Sequence, residues 1–222
     1  MKRILTFVAL LMMSFALPSE ASAQFDLSKA LGMLFGGMQQ NSEQSQTTTK
    51  PQQQVTVKTP LQLIAEAAPT LRDIQGRWTY SSADAEYVGD NPLAQMAISQ
   101  VKPIAIQQIE STGITPGSFT LTLKRNGVGT LQMGDHTLTG NYTYNASTAE
   151  LLITGAVNNV AVSCRGYVKL ADGKLTVLID ANDALKAFTS AFPQYAMHQT
   201  VLMVSGVIQG FPGVCAAATF TK

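Results

Sequence analysis

From Gly117 onward the chain consists of short alternating stretches separated by turn dipeptides, a pattern that leaves few folds open. Phe119, Leu121 and Leu123 alternate with Thr120, Thr122 and Lys124, which is the two-residue period of a strand with one buried face. Asn126-Gly127 follows, the strongest short-range hairpin signal because both residues tolerate the positive φ a tight turn demands. Val128 to Met133 then runs to a turn at Gly134-Asp135, and Thr137 to Tyr144 sets Leu138, Tyr142 and Tyr144 on one face. Asn145, Asn158-Asn159 and Asp172-Gly173 punctuate three further stretches. These are Glu150 to Ala156, a run in which Val160, Val162, Val168 and Leu170 share a face, and Leu175 to Ile179. Connectors this short join antiparallel neighbours, since parallel strands need a crossover of a dozen or more residues.

Two more strands flank this series. Trp78 and Tyr80 alternate with Arg77 and Thr79 after Gly76, and Val214 to Thr221 forms a final stretch. The pattern predicts a mainly β fold, an antiparallel up-and-down β-barrel of about eight strands, closure being the way a meander removes its exposed edges. Two helical insertions interrupt it. The first runs from about Asn91 to Glu110, with Leu93, Met96, Val101, Ile104 and Ile109 at helical spacing and Pro103 expected to kink or split it. In the second, between Asp183 and Gly210, Leu185 and Phe188 precede Pro193, and Met197, Val201, Val204 and Ile208 follow it. Both stripes are apolar enough to need cover, which predicts packing across the mouth or flank of the barrel.

The barrel domain is expected over residues 59–222. It opens with a helix in which Thr59 and Gln62 form a capping box and Pro60 takes the first helical position. Residues 1–23 carry the cationic start, apolar run and Ala21-Ser22-Ala23 ending of a signal peptide cut before Gln24, which implies a periplasmic or secreted protein. Residues 24–58 join a short apolar helix, with Leu27, Leu31, Leu34, Phe35 and Met38 at helical spacing, to a Gln/Thr-rich flexible linker. Residues 25–38 are therefore a candidate contact for a membrane surface or envelope partner, the alternative being a tail that packs weakly.

Losing Lys2, Arg3 and Glu20 with the leader takes the charges from 15 basic and 14 acidic to 13 and 13. A net charge near zero with no cluster of Lys or Arg argues against nucleic acid, which is met by a basic face. Cys164 and Cys215 are an even pair in an exported chain and read as a disulfide. It would close a loop of roughly 50 residues and contribute about 4 kcal/mol; the alternative is two buried thiols acting as small hydrophobes. His136 and His198 are the only histidines, and neither stands at ligand spacing with a cysteine, so no metal site is expected.

A helix, then Gly76-Arg77-Trp78 opening the first strand, then a meander of about eight strands, resembles the lipocalin superfamily. More closely, the exported chain resembles a family of secreted bacterial lipocalin-like domains of unknown function, on AQFDLSK at 23–29, GRWTY at 76–80, PGSFTLTL at 116–123, GNYTY at 140–144 and FTK at 220–222. The resemblance implies that Trp78 packs across the closed end of a barrel. It also implies a barrel able to hold a small hydrophobic molecule or lipid, for which Trp78, Tyr80, Phe119, Leu121, Tyr142 and Tyr144 share the inward phase. The helical insertions depart from the usual lipocalin pattern.

The sequence contains no Gly-x-Ser-x-Gly elbow, no phosphate-cradling loop and no His-Glu-x-x-His motif. Asp84 and Glu86, two apart on one strand, are the nearest thing to a carboxylate pair, and such residues more often form the wet face of a strand. Three readings follow in order: a non-catalytic carrier, a filled barrel acting as an envelope scaffold through its N-terminal tail, and an enzyme. No cofactor is expected.

Overall fold

In a computed structural model, residues 58–111, 114–157, 159–197 and 199–222 are described. The expected N-terminal helix and linker, and the leader, lie outside the described residues.

Eight antiparallel strands close into a barrel in sequence order. They are β1 (Gly76–Tyr87), β2 (Thr120–Leu123), β3 (Val128–Met133), β4 (His136–Asn145), β5 (Glu150–Val157), β6 (Val160–Ala171), β7 (Lys174–Asp180) and β8 (Val214–Thr221). The hairpin signals act as read: Gly127 has φ +77°, and Asp172 and Gly173 have φ +51° and +72°, the paired left-handed residues of the turn that matches strand twist. β1 and β8 seal the cylinder with registers from Thr79↔Thr221 to Tyr87↔Val214. Gly140 marks a close backbone approach in this wall. A Cβ there would lie 2.6 Å from the Thr154 carbonyl oxygen, so the backbones approach as only glycine allows.

Before β1 come two short helices. In α1 (Pro60–Glu66) the Thr59–Gln62 capping box forms as expected. The sequence reading did not anticipate α2 (Leu71–Ile74), which has its own capping box between Thr70 and Asp73. The first insertion is α3 (Pro92–Ser111), which accommodates Pro103 within one continuous helix rather than splitting at it. The second divides into α4 (Ala181–Ala191), a 3-10 turn (Pro193–Tyr195) and α5 (Gln199–Gly210). Asp180 caps α4 by accepting from the backbone N–H groups of Asn182 and Asp183.

A bulge between Tyr80 and Ser82 shifts the β1–β8 register by one, and one residue of slip exchanges the faces of everything after it. Trp78 and Tyr80 face inward before the bulge, and Ala83 and Ala85 after it. Asp84 and Glu86 are thereby delivered to the outer surface. There Lys102 meets Asp84 at 2.7 Å and Lys169 pairs with Glu86.

The expected disulfide is corrected: Cys164 and Cys215 are free thiols. Cys164 is on β6 and Cys215 on β8, with β7 between them. Two inter-strand steps put the Cα atoms about 9–10 Å apart, beyond the ~7 Å that a bridge tolerates. They also face opposite ways. Cys164 joins the apolar cluster at the barrel mouth, whereas Cys215 packs outside the wall with Ile64 of α1, Leu178 and Ala217. Burial, helped by nearby carboxylates, pushes the Cys164 thiol up to about 11 and the Cys215 thiol up to about 12, so neither is a thiolate near neutrality.

Candidate functional site

The barrel has a sealed end and a helix-covered end. The sealed end carries the hairpins at 124–127, 145–150 and 171–174 and helix α2 before β1, and Trp78 there is 1% exposed. Its indole N–H donates to the Ile74 carbonyl at 2.8 Å, and the Lys222 ammonium stands 4.5 Å from the ring centroid, within cation–π range. Tyr142 donates its hydroxyl proton to the Lys124 carbonyl and Tyr144 donates to the Pro69 carbonyl, each at 2.7 Å. Tyr80 stacks on Phe119 with centroids 4.2 Å apart, and Phe220 meets both edge-on.

The six residues marked from the sequence thus all lie in one interior cluster, with Trp78, Tyr80, Phe119 and Tyr142 buried and Leu121 and Tyr144 packed against them. The polar atoms of Trp78, Tyr142 and Tyr144 are directed at the elements that close the base. Their structural role is to fasten α2 and the turns to the barrel.

Toward the other end the inward side chains shrink. Continuing the alternation past the aromatic layer reaches Ala85 on β1, Gly140 and Leu138 on β4, Gly155 and Val157 on β5, and Val162 and Cys164 on β6. Leu131, Met133, Leu138, Val157, Val162 and Ile179 are only half-buried. An eight-stranded barrel is just wide enough for ordinary side chains to fill, and several inward positions of this half carry Gly, Ala or Val.

The wall itself changes here. The β1–β2 ladder spans only Gly76↔Leu123 to Thr79↔Thr120, leaving the second half of β1 without a strand on that side. Helix α3 packs against this stretch, tied by the Lys102–Asp84 ion pair and by Ile98, which shares a buried cluster with Ala85. Helices α4 and α5 complete that cluster with Leu185, Phe188, Val201 and Ile208 against Val214 of β8, and Tyr87 and Cys164 pack on it. Arg165 of β6 anchors α4, its guanidinium Nε donating to Asp183 at 2.9 Å and its backbone N–H at 3.0 Å. This pairing holds the Asp183 carboxyl below its ordinary range.

Between α4 and α5 runs a groove of about 400 Å³. Leu185, Val201 and Leu202 supply its apolar surface, Asn182, Thr189, Ser205 and Gln209 a polar margin, and Lys186 a positive charge. Ion-paired Asp84 and Glu86 lie outside the barrel, so they do not form a carboxylate pair in a cleft. Among the described residues, no three of His, Cys, Asp or Glu come together where a metal could sit. The side chain of His136, and all of His198, lie outside the described residues.

A sequential eight-stranded barrel, stoppered by the tryptophan of a Gly-x-Trp first strand and preceded by a short helix, defines a lipocalin-like protein. The chain matches the model of the family described as Lipocalin-like domain (DUF4923) over residues 50–222 and belongs to that family. Searches of curated proteins and of solved structures each gave no significant match.

Proposed function

We propose that this is an exported, non-catalytic binding protein that holds a small hydrophobic molecule or lipid in the mouth half of its barrel, beneath α3, α4 and α5. The observation that carries this reading is the change in inward residues along the barrel axis. Buried aromatics fill the sealed half, and small or half-buried aliphatic residues line the other. Ligand sites are concavities lined mostly by apolar groups with a few polar ones at the edge, and the mouth with its α4–α5 groove has that composition. Membership of a lipocalin-like family supports binding as a class of activity, though fold alone does not transfer function. The leader at residues 1–23 and the absence of catalytic motifs from the sequence support export and a non-enzymatic role.

The test is native mass spectrometry of the full chain, produced with its leader and recovered gently from an envelope fraction, compared with the same sample after denaturation. An added mass lost on denaturation is the expected result and identifies the cargo class. A bare mass, unchanged after incubation with envelope lipid extract, would sink the carrier and leave a filled scaffold acting through residues 25–38.

A further inference from the structure

The surface of the mouth differs from the surface of the sealed end in a way the carrier reading does not require. From Ala187 to Thr221 the sequence contains no Asp, Glu, Lys or Arg. That stretch includes the end of α4, the 3-10 turn and all of α5. On it, Met197 is 81% exposed, Leu202 50% and Tyr195 39%, and the first turns of neighbouring α3 expose Met96 at 57% and Leu93 at 45%. The two elements meet at the mouth, where the Val88 amide donates to the Gly213 carbonyl just before α3 begins and just after α5 ends. Exposed charges on this side are fewer, namely Asp90 before α3, Asp135 in the β3–β4 turn, Arg165 paired with Asp183, and Lys186 beside the groove, whereas the sealed end exposes Arg72, Lys124, Arg125, Asp172, Lys174 and Lys222.

Isolated exposed apolar residues are ordinary, but several large ones on neighbouring elements with little charge around them mark an interaction surface. We propose that this pole docks on a lipid bilayer, with α5, the 3-10 turn and the start of α3 lying in the interface and the charged pole facing water. The thinning of charge toward this pole, complete from Ala187 through α5, argues for lipid as the occupant. The segment from Ala187 to Gly213, with formal charge only at its rim in Lys186 and Asp90, offers little to an ionic partner and loses little on entering the acyl boundary. Insertion of this kind scales with buried apolar area, with electrostatic attraction a separate contribution. No helix among the described residues is long and apolar enough to cross a membrane, so the contact is peripheral. It also places the α4–α5 groove, to which Leu202 and Val201 both contribute, against the layer from which an apolar cargo would come.

Co-sedimentation of the full chain with phosphatidylcholine vesicles tests this, with Met96→Ser, Met197→Ser and Leu202→Ser combined as the mouth variant and Lys124→Glu with Arg125→Glu as the sealed-end control. All five positions are exposed, and circular dichroism checks that each variant folds. Partitioning should be insensitive to salt and to added phosphatidylglycerol, fall by on the order of tenfold for each apolar side chain removed, and be unchanged in the control. Equal partitioning of wild type and mouth variant would overturn the proposal, as would binding that salt abolishes. A wild-type dimer that the mouth variant dissociates would assign the face to a second copy instead. The docking fails separately from the carrier reading: loss of vesicle binding with cargo mass retained refutes only the former.

Discussion

Trp78, Tyr80, Phe119, Tyr142, Leu175 and Phe220, the inward residues of the sealed half, are each 5% exposed or less. A few residues along the same strands, Leu138, Val157, Val162 and Ile179 face the same interior and are half-buried. Strands run through both halves, although the β1–β2 ladder stops short of the mouth, so the backbone alone does not explain the contrast. Side-chain volume does. Aromatic rings saturate a bore of this width, and the positions that follow mix Gly, Ala and Val with single aliphatic side chains such as Leu138 and Ile179 beneath three helices. The sealed half is a core in the ordinary sense, whereas the mouth half is a lining.

If that distinction is right, equal truncations should cost very different amounts. Trp78→Ala removes a buried indole and leaves the Ile74 carbonyl without its donor, and should lose about 3–5 kcal/mol in chemical denaturation. A loss below about 1 kcal/mol would mean that the sealed end is not packed as described.

A second effect is confined to alkaline solution. The unfolded thiols ionise near 9, while the folded ones hold their protons to about 11 for Cys164 and about 12 for Cys215. Above pH 9 the unfolded chain therefore binds fewer protons than the native one, and stability falls as pH rises through the window from 9 to 12. For Cys215, three pH units set an upper limit of about 4 kcal/mol. Cys215→Ala should flatten the alkaline limb of a stability–pH curve. An unchanged limb would assign it to other groups such as Tyr144 and Tyr167, whose hydroxyls burial also pushes up.

The smallest effect on stability belongs to the mouth. Leu138→Ala or Val162→Ala should cost about 1 kcal/mol or less, because half-exposed side chains give up little burial. The same variants should measurably weaken retention of the co-purifying mass. A cost of several kcal/mol without change in cargo would show that the mouth is core after all.

Much of the fold was legible because the chain spells out its turns. Asn126-Gly127 and Asp172-Gly173 fix hairpins locally, and alternation sets which residues face in. The six inward residues chosen from the sequence do share one interior because five sit on stretches of strand free of any bulge, Trp78 and Tyr80 preceding the one in β1, and Phe119 continues the phase of β2. The reading placed Asp84 and Glu86 on the wet face without the bulge that puts them there, and it failed where partners are set by the three-dimensional neighbourhood. Nothing in Tyr80-Ser81-Ser82 announces a bulge, yet it decides that Asp84 and Glu86 face solvent. The cysteine pair was read from compartment and number, but bridging depends on β7 standing between β6 and β8. The mouth was illegible for a different reason. Its character lies in what small residues leave unfilled and in helices whose placement over the β1–β2 gap has no local code. One signal was available and unread: Thr70 and Asp73 spell a capping box, and the helix they start supplies the carbonyl that holds Trp78.

The pairing of β1 with β8 has a consequence for how the molecule comes into being. Thr79 and Thr221 are partners, so the cylinder cannot close until nearly the whole domain has been synthesised. Until Val214–Thr221 arrives, β1 and β7 are both open edges, each ready to recruit a strand from another chain. Contacts of such long range also form slowly, because the loop they close must be ordered before they repay its entropy. Seven strands without the eighth would be a sticky, half-wound sheet, and a nascent chain of this design depends on being kept apart from its copies until its two ends meet.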